Sequence, residues 1–132
     1  MLEVYQTVSD KLLSKILRST SDGRNIICRK ALTNEQVENF IRTGNMFVVN
    51  CVNGKLCGFA SVESEDGLAI FNLICTEVRG GKAIIDFIVN ACKMLYVEEL
   101  MLHALNDELI PFYETNGFVS SPDDRREMTM VF

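Results

Sequence analysis

The chain has 132 residues, of which 48% are hydrophobic, and a formal net charge of −5 at pH 7. Its length is that of one domain, predicted over residues 1–132, and its acidity argues against a nucleic acid partner, which requires a basic face. No stretch approaches the roughly 20 apolar residues of a membrane span, and the N-terminal segment is not typical of a signal or transit peptide, so we expect a cytoplasmic protein.

The first 45 residues predict one strand and two helices. Apolar and polar residues alternate over residues 2–8, which is the two-residue period of a strand. Ser9 and Thr33 each precede apolar residues at helical spacing, so both are predicted helix caps. Gln36 completes a capping box with Thr33, and Gly44 is predicted to end the second helix.

Three strands joined by tight turns follow. Asn53-Gly54 and Asp66-Gly67 are the residue pairs most typical of two-residue hairpin turns. They separate strands predicted at residues 46–52, 55–64 and 68–75. The last of these is a nearly continuous apolar run, which predicts a central strand covered on both faces.

The remaining chain alternates helices and strands. A strongly apolar helix is predicted at residues 83–95, a short strand at 100–102, and closing strands at 118–120 and 127–132. With the short helix that begins after residue 106, the order is β-α-α-β-β-β-α-β-α-β-β. This order predicts an α/β (α+β) fold with a mixed, mostly antiparallel central sheet, one strand–helix–strand crossover and flanking helices.

Five cysteines and one histidine limit the metal and redox chemistry. The cysteines form no CxxC pair, and most lie in apolar runs. This usage is typical of small buried side chains in a reducing compartment, so we expect reduced thiols and no metal site.

The segment NDELIPFYETNGF, residues 106–118, carries the most informative motif. Asn106 is predicted to cap a short helix whose first turn holds two acids and tolerates a proline. Gly117 provides the left-handed stop, which leaves Tyr113 near the end of that helix. The spacing of Asn106, Tyr113, Glu114 and Gly117-Phe118 resembles the C-terminal signature of the GNAT superfamily of N-acetyltransferases, whose element order matches residues 2–132.

The resemblance implies acetyl-coenzyme A as cosubstrate and assigns several residues to it. Tyr113 would lie near the thioester sulfur and act as the acid for the departing thiolate. A backbone amide of the central strand, within Leu73, Ile74 and Cys75, would contact the thioester carbonyl. Asn106 would contact the pantetheine arm. The resemblance also implies that the central strand and the strand after it separate, and that the cleft between them admits the pantetheine arm.

The junction TEVRGGKA, residues 76–83, leaves the apolar strand and enters the apolar helix. Glycines and the start of a helix expose amides to an anion, and two cations add charge. The resemblance makes it the pyrophosphate loop, formed by Arg79, Gly80, Gly81, Lys82 and Ala83. Two registers of this loop fit the family pattern Q/R-x-x-G-x-G/A in part. In the first, Arg79 occupies the Q/R position, but the two small-residue positions do not fall on small residues. In the second, Gly81 and Ala83 occupy the small-residue positions, but Val78 stands at the Q/R position.

The general base is left open by the sequence. Residues 68–75 carry no acid, and Asn72 is the only strongly polar side chain among them. Glu63, Glu65, Glu77 and His103 are alternatives, as is a chain of water molecules. Glu63, Glu65 and Asn72 are also candidate contacts to the substrate.

The predicted function is direct acetyl transfer to a primary amine, such as a polyamine or a lysine side chain. The amine would bind at residues 20–32, the second helix and the turn 63–67, or against a second subunit of a homodimer. One alternative is a non-catalytic GNAT-like module that binds coenzyme A or a protein partner for regulation or assembly. Another is an interaction domain that shares only the topology.

Overall fold

A seven-stranded sheet organises the chain, with the strand order β1-β2-β3-β4-β5-β7-β6. The computed structural model describes residues 2–20, 32–77 and 80–132. The strands are β1 Leu2–Tyr5, β2 Met46–Val52, β3 Lys55–Glu65, β4 Leu68–Thr76, β5 Glu99–His103, β6 Val119–Ser120 and β7 Glu127–Val131. The helices are α1 Asp10–Ser19, α2 Asn34–Thr43, α3 Gly81–Met94 and α4 Ile110–Thr115.

The predicted order of elements is confirmed throughout these residues, as is the mixed sheet. All neighbouring strands pair antiparallel except β4 and β5, which are joined by the crossover through α3 and pair parallel. The first strand is shorter than predicted. It ends at Tyr5 because its partner Phe47 lies one residue from the start of β2, so no ladder continues to residue 8.

Two predicted caps begin the N-terminal helices. The Ser9 hydroxyl accepts a hydrogen bond from the Leu12 amide at 3.1 Å. At α2 the Gln36 amide donates to Thr33 Oγ1 at 3.2 Å, and the Thr33 amide donates to Gln36 Oε1 at 2.8 Å. This reciprocal pair is the predicted capping box, and it satisfies two amides that have no intrahelical partner.

Gly44 ends α2, as predicted, but for a different physical reason. Its backbone is extended, with φ −75° and ψ 157°, and is not left-handed. A Cβ at this position would overlap the Ser61 hydroxyl, which donates to the Phe40 carbonyl at 2.8 Å. Glycine is therefore required because α2 and β3 approach closely here.

Both predicted hairpin turns are formed by residues with positive φ. The φ values are 53° at Asn53 and 77° at Gly54, and 50° at Asp66 and 82° at Gly67. Two successive left-handed residues form the turn whose twist matches that of paired strands. The two turns join β2 to β3 and β3 to β4.

The sheet is covered on both faces, so β4 has the central, buried position that its apolar sequence predicts. One core cluster packs α3 and α4 on the sheet and includes Ile84, Ile88 and Phe71. The other packs α1 and α2 on the opposite face and includes Ile16 and Val37. No helix of the described ranges is long and apolar enough to cross a membrane.

The expectation that every cysteine is a reduced thiol is wrong for Cys75. This residue is fully buried near the end of β4 and is disulfide-bonded, whereas Cys57 and Cys92 are free thiols. A sulfur held in a disulfide has no thiolate to offer. Cys75 is therefore not available as a nucleophile in this state of the protein.

Candidate active site

The parallel pair β4 and β5 opens into a fork half-way along β4. Pairing runs from Leu68 opposite Glu99 to Phe71 opposite Leu102 and then stops. Beyond this point β4 continues to Thr76, while β5 stays paired with β7 through His103. The edge of β4 from residue 72 to 76 therefore faces a gap, where its backbone groups are available to a ligand.

A β-bulge lies at the apex of this fork. Ser61 of β3 is opposite Leu73, and the next residue, Val62, is opposite Phe71, so Asn72 is the extra residue of β4. The bulge reverses the side-chain alternation: Phe71 belongs to the core on the α3 side, and Leu73 to the core on the α1 side. Bulges of this kind change the direction of side chains and are frequent next to active sites.

The fork opens into a cavity of about 600 Å³. Apolar side chains from α2, β4, β5 and the α4 region form most of its wall. The polar and ionisable residues that line it are Asn72, Thr76, Glu77, His103, Asn106, Glu108 and Tyr113. A mostly apolar concavity with a few convergent polar groups is typical of a ligand site.

The helix that carries Tyr113 begins and ends as predicted. Asn106 Oδ1 accepts a hydrogen bond from the Leu109 amide at 3.2 Å and caps a single 3-10 turn, Asp107–Leu109, which continues into α4. Pro111 stands in the first turn of α4, where its missing amide costs no hydrogen bond. Gly117 has φ 97° and supplies the left-handed stop.

Tyr113 is buried and surrounded by aromatic rings. Its side chain is 5% exposed, and its ring meets those of Phe112 and Phe118 edge-on at centroid distances of 5.3 and 5.9 Å. Burial raises the pKa of Tyr113 to about 12. The hydroxyl makes no hydrogen bond to any other described residue. It is therefore a neutral donor at physiological pH, held rigidly in the cavity wall.

The N-terminus of α3 lies at the open end of the fork. Gly80, at the N-cap, offers no side chain to the first-turn amides. Gly81 lines the cavity, and a Cβ there would lie 2.9 Å from Phe112 Cζ and 3.2 Å from Thr76 Oγ1. Lys82 is bound to Asp86 by an ion pair of 2.9 Å at the surface. Val78 and Arg79, and with them the choice between the two loop registers, lie outside the described residues.

The other predicted ligand residues divide between the cavity and its surroundings. Leu73 and Ile74 line the cavity, whereas Cys75 and Ala83 do not. Glu63 and Glu65 lie opposite Ile70 and Leu68, where β4 is still paired with β5, and they are outside the cavity wall. Along β4, Glu65 is thus about 13 Å and Glu63 about 7 Å from Asn72, where the fork begins.

Besides the Tyr113 phenol, the ionisable groups that line the cavity are carboxylates and one imidazole. Glu77 Oε1 is buried and lies 3.4 Å from Lys55 Nζ. The two groups form an ion pair but not a hydrogen bond. His103 Nε2 is 3.3 Å from Asp124 Oδ2. Within the described ranges no three His, Cys, Asp or Glu residues are grouped so as to hold a metal ion.

A sequence profile described as an acetyltransferase (GNAT) domain matches residues 16–131. The chain belongs to the GNAT family. The resemblance to this family that the Tyr113 segment indicated is confirmed. Membership of the GNAT family supports acyl transfer as the general class of reaction. No curated protein matches the sequence at significant similarity.

Solved GNAT structures share the fold along the full chain. PaiA N-acetyltransferase from Thermoplasma acidophilum, in complex with coenzyme A, is 18% identical, with a TM-score of 0.69 over 100% of this chain and 99% of that chain. The ribosomal-protein-S18-alanine N-acetyltransferase from Escherichia coli is 17% identical, with a TM-score of 0.70 over 99% and 94%. The catalytic domain of Tetrahymena GCN5 histone acetyltransferase, in complex with coenzyme A, is 15% identical, with a TM-score of 0.66 over 99% and 93%.

The GNAT cavity also contains residues that the sequence did not point to. Leu105 after β5 lines the cavity and remains 42% exposed. Phe40 also lines it and is 38% exposed; it belongs to α2, which was predicted to bind the amine only as a whole helix. Glu108, predicted only as a charge in the first turn of a helix, is part of the same wall. Leu32 lies in the wall as well, at the end of the segment predicted to bind the amine, while residues 21–31 lie outside the described residues.

Proposed function

We propose that this GNAT protein is an acetyl-coenzyme A dependent N-acetyltransferase that moves the acetyl group directly to a primary amine. The observation that carries this proposal is the fork between β4 and β5. Among the residues that the structure describes, it combines a strand edge with no paired strand, a buried phenol with no hydrogen-bond partner and a helix N-terminus with no side-chain cap in one cavity wall. Each of these three features suits a different part of the cosubstrate.

The pyrophosphate would bind at the start of α3, where Gly80, Gly81, Lys82 and Ala83 supply amides and the positive end of the helix dipole. The pantetheine arm would lie in the fork. Its amides would pair with the free edge of β4 in place of the missing strand, and the Asn106 side chain would contact it at the opposite wall. The thioester would then reach the apex, close to the backbone of Leu73 to Cys75.

The transfer forms one bond and breaks one. The neutral amine nitrogen attacks the thioester carbon, the carbonyl electron pair moves to oxygen, and collapse of this intermediate expels the thiolate. The Tyr113 hydroxyl would donate to the sulfur as its charge develops. The amine gives up one proton, for which the described cavity offers Glu77, Glu108 and His103 as acceptors, directly or through water. The thiolate gains one proton, so the charge balances.

Binding of the cosubstrate is the first test. Coenzyme A at about 100 times its dissociation constant should stabilise the folded protein by roughly 2.7 kcal/mol, because it binds the native state only. Thermal unfolding and calorimetry with coenzyme A and with acetyl-coenzyme A measure this. Binding without thiol release in a screen of amines would favour the non-catalytic module, and no binding of either molecule would overturn both functions.

The amine is proposed to be cationic, as a polyamine or a lysine side chain is. Glu77 and Glu108 both line the cavity, and the part of its wall that the structure describes contains no lysine or arginine. Lys55, outside the wall, is paired with Glu77, so Glu108 is the carboxylate that carries more of this argument. These two carboxylates give the proposal better support than Glu63 and Glu65, which lie elsewhere. A second positive charge on the amine would be attracted to this wall, and salt would weaken the attraction.

We expect amines with two positive charges to be acetylated with a higher kcat/KM than monoamines of equal length. Glu108→Gln should lower that preference by roughly two- to fivefold, the usual range for an exposed charge pair. Glu114→Gln is the matched control, because Glu114 is an exposed acid of α4 outside the cavity. A neutral or carboxylate-bearing amine as the best substrate would contradict the cationic class.

A further inference from the structure

The side-chain amide of Asn72 is the feature of the cavity that the proposed function leaves unexplained. Asn72 Nδ2 is buried and has no hydrogen-bond partner within the part of the chain that the structure describes. Burying an amide donor without an acceptor is unfavourable, and such groups are rare in folded proteins. A buried donor of this kind in a cavity wall is available to a ligand oxygen that enters the cavity.

The position of Asn72 in the fork limits which ligand oxygen can accept a hydrogen bond from Nδ2. Asn72 is the first residue of β4 beyond the last pair with β5, so it stands at the apex. A chain entering at the open end, near Thr76 and Gly81, passes about 13 Å of β4 edge before it reaches this residue. On the proposed function, the group that arrives at the apex is the acetyl thioester at the end of the arm.

We propose that Asn72 donates a hydrogen bond from Nδ2 to the thioester carbonyl oxygen and stabilises the oxyanion that forms there. This inference rests on the proposed function. When the amine nitrogen bonds to the carbonyl carbon, the π electron pair moves to oxygen, and Nδ2–H faces the new negative charge. When the intermediate collapses, the pair returns to form the amide carbonyl, and the C–S bond breaks with its electrons on sulfur.

The donor is important because the part of the cavity wall that the structure describes has no cationic side chain near the apex. No lysine or arginine of that wall can neutralise an oxyanion, and two carboxylates disfavour it. A fixed neutral dipole that needs no reorganisation during the reaction is an effective substitute. The bulge explains how β4 presents the dipole, since the extra residue turns out of the regular alternation.

Asn72→Leu tests the assignment, because leucine has nearly the same shape and cannot donate. We expect kcat to fall by about 10²–10³-fold, the usual cost of losing one oxyanion donor. The KM values for acetyl-coenzyme A and for the amine should stay within about twofold. The melting temperature should not fall, because the substitution removes a buried donor that has no partner in the free protein.

Asn90→Leu is the matched control, since Asn90 is exposed on α3 outside the cavity and the chemical change is identical. Asn72→Ala serves as a second variant if the leucine variant does not fold. A binding readout is independent of turnover: coenzyme A lacks the acetyl carbonyl, so both Asn72 variants should bind it like the unmodified protein. They should lose any preference of that protein for acetyl-coenzyme A.

Three results would overturn the assignment. Unchanged kcat in both Asn72 variants would remove the role in catalysis. A higher KM for the amine at constant kcat would assign the donor to the amine substrate instead. A large fall in melting temperature, with an activity loss no greater than the fraction of unfolded protein, would show that Asn72 has a structural role only. In all three cases the unmodified protein still acetylates amines, whereas absence of binding and turnover in that protein would reject the proposed function itself.

Discussion

Replacing Tyr113 with phenylalanine is expected to lower kcat by about 10²–10³-fold, the range for loss of one hydrogen-bond donor to charge that develops in the transition state. Phenylalanine keeps the ring, so the edge-on contacts with Phe112 and Phe118 remain. The hydroxyl makes no hydrogen bond to another described residue, so its loss leaves no partner unpaired. Coenzyme A affinity and the melting temperature should therefore change little, and kinetics and thermal unfolding of one variant separate the two roles.

Tyr96→Phe is the control for Tyr113→Phe. Tyr96 is 89% exposed after α3, so the same loss of a hydroxyl there should leave turnover and stability unchanged. Near-normal kcat in Tyr113→Phe, together with about 1 kcal/mol lower stability, would indicate an ordinary buried tyrosine. That result would remove Tyr113 from the reaction and leave the fork as the sole support for catalysis.

The pKa of Tyr113 also bears on how the hydroxyl would act. A phenol with a pKa of about 12 is a weaker acid than an ordinary thiol, whose pKa is about 8.5. Complete proton transfer to the free thiolate is uphill by that difference. A hydrogen bond that strengthens as charge develops on sulfur avoids this cost. The hydroxyl would thus stabilise the departing sulfur while it remains attached to its own proton, and solvent would supply the final proton.

Local chemistry made much of the fold predictable. The capping box at Thr33 and Gln36, the turns at Asn53-Gly54 and Asp66-Gly67, and the stop at Gly117 are each specified by side chains within four residues of one another. Such signals determine local backbone structure independently of the rest of the chain. Together with the apolar run of β4, they specify the element order, and the order specifies the sheet.

Features that depend on distant contacts were not predictable. The bulge at Asn72 arises from the register of β4 against β3, which the sequence of β4 alone does not specify. Gly44 is required by Ser61, 17 positions away, and not by a left-handed backbone. Glu108 joins the cavity because α4 packs beside the fork, so its sequence signal was only that of a charge at a helix start. The pyrophosphate loop stays a prediction because Arg79 lies outside the described residues.

Raising the pH above 10 is expected to destabilise the protein through Tyr113. The pKa of this phenol is about 12 when folded, against an ordinary value of 10.0, because burial disfavours the phenolate. Below pH 10 the phenol is neutral in both states, and its contribution to stability is constant. Between pH 10 and 12 the unfolded chain releases the proton and the folded chain does not, so the free energy of unfolding falls. At roughly 1.4 kcal/mol per pKa unit, the loss is about 2 kcal/mol by pH 12, where the folded phenol is half ionised, and it approaches about 3 kcal/mol only above that pH.

Tyr113→Phe should lack this component of the alkaline loss. Lysines and the other tyrosines titrate alike in the two proteins, so the difference between their free energies of unfolding isolates residue 113. Between pH 8 and 12, measured by denaturant unfolding, the free energy of unfolding of Tyr113→Phe should rise relative to that of the unmodified protein by about 2 kcal/mol. The free energy of unfolding of Tyr96→Phe should change with pH as that of the unmodified protein does. Parallel curves for the unmodified protein and Tyr113→Phe would contradict the raised pKa. They would mean that water reaches the hydroxyl freely, which would also weaken its case as a desolvated donor to sulfur.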